Sequence, residues 1–93
     1  LKGWWINFIS VTRSAESINF SEAQSFMQER TRNINQVIID SKITFFDNTK
    51  LYFFLTAAGD GTYYCVSAIS ENKLELLNAD CGGSEKVVQF NNL

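Results

Sequence analysis

Ninety-three residues suffice for one core and not for two, so the chain reads as a single domain over 1–93. A hydrophobic fraction of 45% argues against disorder, and a net charge of −2 with scattered acidic and basic residues leaves no basic stripe for a nucleic-acid partner. The longest apolar runs, Val37–Ile39 and Leu51–Leu55, fall far short of the roughly 20 residues of a membrane helix, so no membrane span is expected.

In chain order, Leu1–Val11 reads as a strand, because Gly3 is followed by Trp4, Trp5, Ile6, Phe8, Ile9 and Val11. A chain that opens on Leu1 rather than methionine reads as processed or trimmed. Thr12–Ser17 is small and polar and suits a connection. A helix is expected from about Glu22 to Gln36. Ser21 and Gln24 have the spacing of a capping box, and Glu22 suits the positive end of the helix dipole. Ala23, Phe26, Met27, Ile34, Val37 and Ile38 recur at helical spacing. Arg30 falls on the same stripe, where its aliphatic stem can lie along apolar surface. With Arg13 and Arg32 it is the nearest approach to a basic cluster, and reads as a solvated face.

The period then changes. Val37–Asp40 and Lys42–Phe46 are β-rich, Asp47–Lys50 is a turn, and Leu51–Ala58 is a strand. Gly59-Asp60-Gly61-Thr62 carries the Asp-Gly pair of a tight hairpin, whose central residues need positive φ. Tyr63–Ser70 is the return strand and Glu71–Lys73 a turn. Leu74–Leu77 reads as another strand, Asn78–Ser84 as a loop holding Cys81, Gly82 and Gly83, and Lys86–Phe90 as a last strand. The fold class is α+β: one helix in the N-terminal half packed on an antiparallel β-meander, either a small barrel or an open sheet.

With no CxxC and no histidine, Cys65 and Cys81 read as a disulfide rather than a zinc site. A disulfide implies an oxidising compartment, hence a periplasmic, cell-surface or secreted protein. The other reading is two buried free thiols in a cytosolic protein.

A two-residue turn at Asp60-Gly61 pairs Leu55 with Val66, Phe53 with Ala68 and Ala57 with Tyr64. The opposite face then carries Tyr52, Phe54, Thr56, Tyr63, Cys65 and Ile69. Both faces are apolar or aromatic, unlike a half-exposed antiparallel sheet. The helix stripe around Phe26 and Met27 can cover one face. The other needs a second sheet wall, a ligand or another chain. One reading makes all these aromatics core. The sharper reading makes Tyr52, Phe54 and Tyr63, with Trp4 and Trp5, a binding surface, since tyrosine and tryptophan offer large area with a polar handle.

Chemistry finds little support. Acyl transfer usually needs a base beside its nucleophile, most often histidine, and there is none. Asp40, Asp47, Asp60, Glu75 and Asp80 qualify as acid–base pairs by residue type only. Gly59-Asp60-Gly61 lacks the lysine of a phosphate loop. Asn78, Asp80 and Gly82-Gly83 are a weak calcium candidate. Asn19-Phe20-Ser21 is a glycosylation sequon, meaningful only in a eukaryotic secretory setting. Neither cofactor nor metal is expected.

Gly3-Trp4-Trp5 resembles, through Trp5, the G-x-W opening strand of lipocalin-like barrels. Ile43–Phe46, Gly61-Thr62-Tyr63-Tyr64 and Ile69–Leu76 resemble later strands of small lipocalin-like domains in bacterial surface lipoproteins. The pieces are short, and the chain is short for an eight-stranded barrel. The resemblance implies a binder of small apolar ligands or a structural module, without catalytic residues. The chain is also similar to the globular head of type IV pilins and pseudopilins, where a helix precedes a four-stranded meander with a disulfide near the C-terminus. Tyr64-Cys65-Val66-Ser67 through Cys81-Gly82-Gly83 occupies that position. Pilins open on a long apolar helix, and Leu1–Val11 departs from that.

The expected function is a non-catalytic binding or interaction module outside the cytoplasm, taking a protein partner or a small apolar ligand on its aromatic face. The alternatives are a self-assembling subunit of a pilus-like or other surface assembly, and a small inhibitor or immunity protein.

Overall fold

The computed structural model describes residues 18–33, 36–46, 49–58, 61–72, 74 and 76–93. Helix α1 (Phe20–Asn33) is followed by strands β1 (Gln36–Phe46), β2 (Thr49–Ala58), β3 (Tyr63–Ser70) and β4 (Asn78–Gly82), then by helix α2 (Glu85–Asn91). The strands form one open antiparallel sheet in the order β1-β2-β3-β4, so the chain is α+β as expected.

Helix α1 starts before Ser21. The Glu22 N–H donates to Asn19 Oδ1 at 2.9 Å, and the Asn19 N–H donates to Glu22 Oε1 at 3.1 Å. This is the reciprocal capping box, built on Asn19 and Glu22 instead of Ser21 and Gln24. The expected helix tail also ends early. Gln36 already belongs to β1, and positions 34 and 35 lie outside the described residues. Ala23 and Met27, one turn apart, form the buried stripe of α1.

The β2–β3 register is the one that a turn at Asp60-Gly61 demands: Leu55 opposite Val66, Phe53 opposite Ala68, Ala57 opposite Tyr64. Gly61 has φ +82°, which only glycine adopts cheaply. Strand β1 is continuous where the sequence reads as two pieces, with a register shift between Ile38 and Asp40 that makes Ile39 a bulge.

Two elements correct the sequence reading. Leu74–Leu77 is not a strand: residues 74, 76 and 77 have no regular structure, and the fourth strand is Asn78–Gly82. Asparagine, aspartate and glycine are poor strand formers, but Cys81 sits directly opposite Cys65 and is bonded to it. Pairing and cross-link outweigh local preference. Lys86–Phe90 is helix rather than strand. A short run with two valines does not separate helix from strand by period. The helical turn buries Lys86 and Phe90 together and brings Lys86 Nζ to 2.8 Å from Asp80 Oδ2 and 3.2 Å from Gln89 Oε1.

Each face of the sheet therefore has its own cover. Tyr52, Phe54 and Ile69 pack under α1 with Ala23 and Met27. Leu51, Phe53, Leu55, Val66 and Ala68 pack with Leu77 and with Phe90 of α2. The alternation of strand side chains splits the doublet Phe53-Phe54 between the two cores.

Two stability measurements check this arrangement. Reducing the disulfide, which spans a sequence separation of 16, is expected to cost about 3 kcal/mol and lower the melting midpoint by on the order of 10–20 °C. A change below about 1 kcal/mol would mean that β4 and α2 hold their places without it. Phe54→Ala is expected to lower urea-unfolding stability by about 3–5 kcal/mol. A surface-like loss would remove Phe54 from the core.

Candidate interaction surface

The residues that the sequence singles out do not form one patch. Tyr52 and Phe54 are fully buried beneath α1. The Phe20 ring meets the Tyr52 ring edge-on at 5.7 Å and stacks on Phe54 at 5.7 Å. The Tyr52 hydroxyl donates to the Ile18 carbonyl at 2.7 Å, and the Ile18 N–H donates to the Glu71 carbonyl. Tyr52 thus ties the lead-in of α1 to the sheet, a structural task. Burial, reinforced by the nearby Glu71 and Glu22 carboxylates, raises its phenol above the ordinary value of 10.0. Tyr63 opens β3 and is exposed, opposite Ala58 at the hairpin end of the sheet. Trp4 and Trp5 lie outside the described residues.

The sequence reading missed β1. Among the described residues this strand has a neighbour on one side only, β2. It exposes Phe45 at 71%, Val37 at 64%, Ile39 at 49% and Ile43 at 42%; Val37 stands opposite Ala57 on the α2 face, Ile43 and Phe45 opposite Tyr52 and Lys50 on the α1 face, with Ile39 in the bulge between them. Helices α1 and α2 bury the middle strands and leave these side chains in water. The signal was present as apolar residues at alternate positions on either side of Asp40-Ser41-Lys42. It was hidden because Val37 and Ile38 also extend the helical spacing of α1.

Polar contacts hold parts of this strand. Lys42 Nζ lies 4.7 Å from the Phe90 ring centre, and Lys50 Nζ lies 5.8 Å from that of Phe45. The Ser41 N–H donates to Asp40 Oδ1 at 2.8 Å in an exposed setting.

A shallow open groove of about 410 Å3 runs along α1, lined by Ser21, Glu22, Ser25, Phe26, Glu29, Arg30 and Leu74. The Arg30 guanidinium lies 5.3 Å from the Phe26 ring centre. The groove does not enclose a ligand in the manner of a small-molecule site. Among the described residues no group of three or more cysteine, aspartate or glutamate side chains is placed to hold a metal ion. Asp80, the carboxylate of the weak calcium candidate, is taken up by Lys86. No helix among the described residues is long and apolar enough to cross a membrane.

No family model, no characterised protein and no solved structure matches this chain. What the surface can do is therefore read from its own atoms. A sheet edge presents unpaired backbone donors and acceptors, and a chain in extended form can add to it as a further strand. Strand β1 has the length for this, at 11 residues, whereas β4 at the other edge has five.

The Tyr52 geometry makes a pH prediction. With a folded-state pKa above the unfolded value, the native protein keeps a proton that the unfolded chain has released. That contribution is full below about pH 10 and is lost as pH climbs through the raised value. Tyr52→Phe is expected to cost about 1 kcal/mol at neutral pH, through the lost bond to Ile18, and to flatten the alkaline fall in stability. Equal alkaline slopes in the two proteins would disprove the assignment.

Proposed function

We propose that this chain is a non-catalytic protein-interaction module working outside the cytoplasm, and that its contact surface is the open edge of β1. The observation that carries the reading is a long edge strand whose large apolar side chains are exposed on both of its faces, Val37 on the α2 side and Ile43 and Phe45 on the α1 side, with Ile39 at the bulge. Natural proteins commonly protect such an edge, and an exposed one is a template for pairing. The Cys65–Cys81 bond supports the location, because such bonds persist in oxidising compartments.

A subunit of a surface assembly is the second reading. It draws support from the element order of helix, four-stranded meander and a disulfide closing the last hairpin, which is what the likeness to pilin heads implies. The two readings share the same surface and differ in what occupies it.

A photo-crosslinking amino acid at Phe45 in the cells that make the protein is the direct test. It is expected to give a protein adduct, while the same group at Val88, also well exposed on α2, gives none. No adduct from Phe45, or equal yields from both sites, would remove β1 as the contact surface.

A further inference from the structure

Strand β1 is complementary to itself. The geometry points to a second copy of this chain as its partner, through antiparallel pairing of β1 with β1 about a two-fold axis at Ser41. This rests on the reading of β1 as the contact surface and names the occupant.

With Ser41 opposite Ser41, Asp40 of each copy lies opposite Lys42 of the other, and Ile39 opposite Ile43. Asp40 and Lys42 pair with Leu55 and Phe53 in β2, so both charges lie on the face covered by α2. Opposite charges directly across an antiparallel pair attract, and the two-fold repeats the contact. Any other register loses this match. Lys42 is already held in place by the Phe90 ring.

In the single chain the Asp40 carboxylate holds the exposed Ser41 N–H. That donor lies at the centre of the proposed ladder. On pairing, Asp40 releases it to the partner strand and turns to Lys42 of the other copy. The bulge at Ile39 breaks the regular ladder, which confines regular pairing to the short segment 40–42 with Ile39 and Ile43 at its ends. Beyond it the bulge puts Val37, opposite Ala57, on the α2 face and leaves Phe45, opposite Lys50, on the α1 face. Pairing uses the β1 edge of both copies and leaves, among the described residues, the short β4 edges, so the assembly closes at two instead of growing.

The test is a charge swap read by light scattering on a sizing column. Asp40→Lys and Lys42→Asp are each expected to weaken self-association by about tenfold or more, since two attractive pairs become two repulsive ones. The double variant Asp40→Lys with Lys42→Asp is expected to restore the dimer. A mixture of the two single variants is expected to form a mixed dimer, because each supplies the charge the other lacks. Circular dichroism melts confirm that each variant is folded. Three outcomes overturn the proposal: a wild-type monomer at the highest soluble concentration, a dimer indifferent to the swaps, or single variants that fail to combine. A monomer whose Ser41 amide resists hydrogen exchange would mean that the edge is closed within a single chain, and the dimer falls. A monomer whose Phe45 crosslinks to a different protein would leave the module reading standing while the dimer falls.

Discussion

A hairpin with large apolar side chains on both faces cannot stop as a half-exposed sheet. In β2 and β3 every position from Leu51 to Ala57 and from Cys65 to Ser70 is buried, and neighbouring residues point to opposite sides. Burial of aromatic and aliphatic side chains is the dominant favourable term in folding. Here it is divided between two thin cores. Each needs a cover, and a chain this short has only two helices among its described residues to supply them. The short polar side chains of Thr56 and Ser67 lie on the α1 side of this layer, opposite Cys65 and Phe54 respectively.

That division explains what was legible in the sequence. The Asp-Gly turn fixed the hairpin register, and register alone sorted Phe53 from Phe54 and Leu51 from Tyr52, because the period of a strand is two. The absence of histidine and of paired cysteine motifs left a disulfide and two buried thiols as the readings, and the facing positions of Cys65 and Cys81 decide for the disulfide. The need for a second cover was also readable. Its identity was not: Lys86-Val87-Val88-Gln89-Phe90 carries β-branched residues, and only the turn from β4, with Asp80 and Lys86 brought together, makes a helix of it. The missed strand Asn78–Gly82 has the same origin, since its place depends on partners far away in the chain rather than on its own preferences.

The candidate site was less legible for a related reason. Aromatic content drew attention to Tyr52 and Phe54, yet the best binding chemistry in a sequence is also the best core chemistry. Their sequestration under α1 leaves function to plainer residues. Val37, Ile39, Ile43 and Phe45 are ordinary strand formers, and only the sheet order reveals that they stand exposed on an edge strand. Two opposite charges, Asp40 and Lys42, stand between these apolar residues on the α2 face of the strand. Charges there discourage careless pairing while permitting the one arrangement that neutralises them.

The position of the Cys65–Cys81 bond has a consequence for the far side of the sheet. Helix α2 has seven residues, too few to be stable as an isolated helix in water. It is joined to β4 at Gly83, so the cross-link that fixes β4 also holds α2 at high effective concentration over Leu51, Phe53 and Leu55. Without the bond, β4 and α2 are held in place by strand pairing and side-chain packing alone. The cross-link on the α1 side of the sheet therefore acts on the opposite face as well, because it governs how firmly the cover over Leu51, Phe53 and Leu55 stays shut.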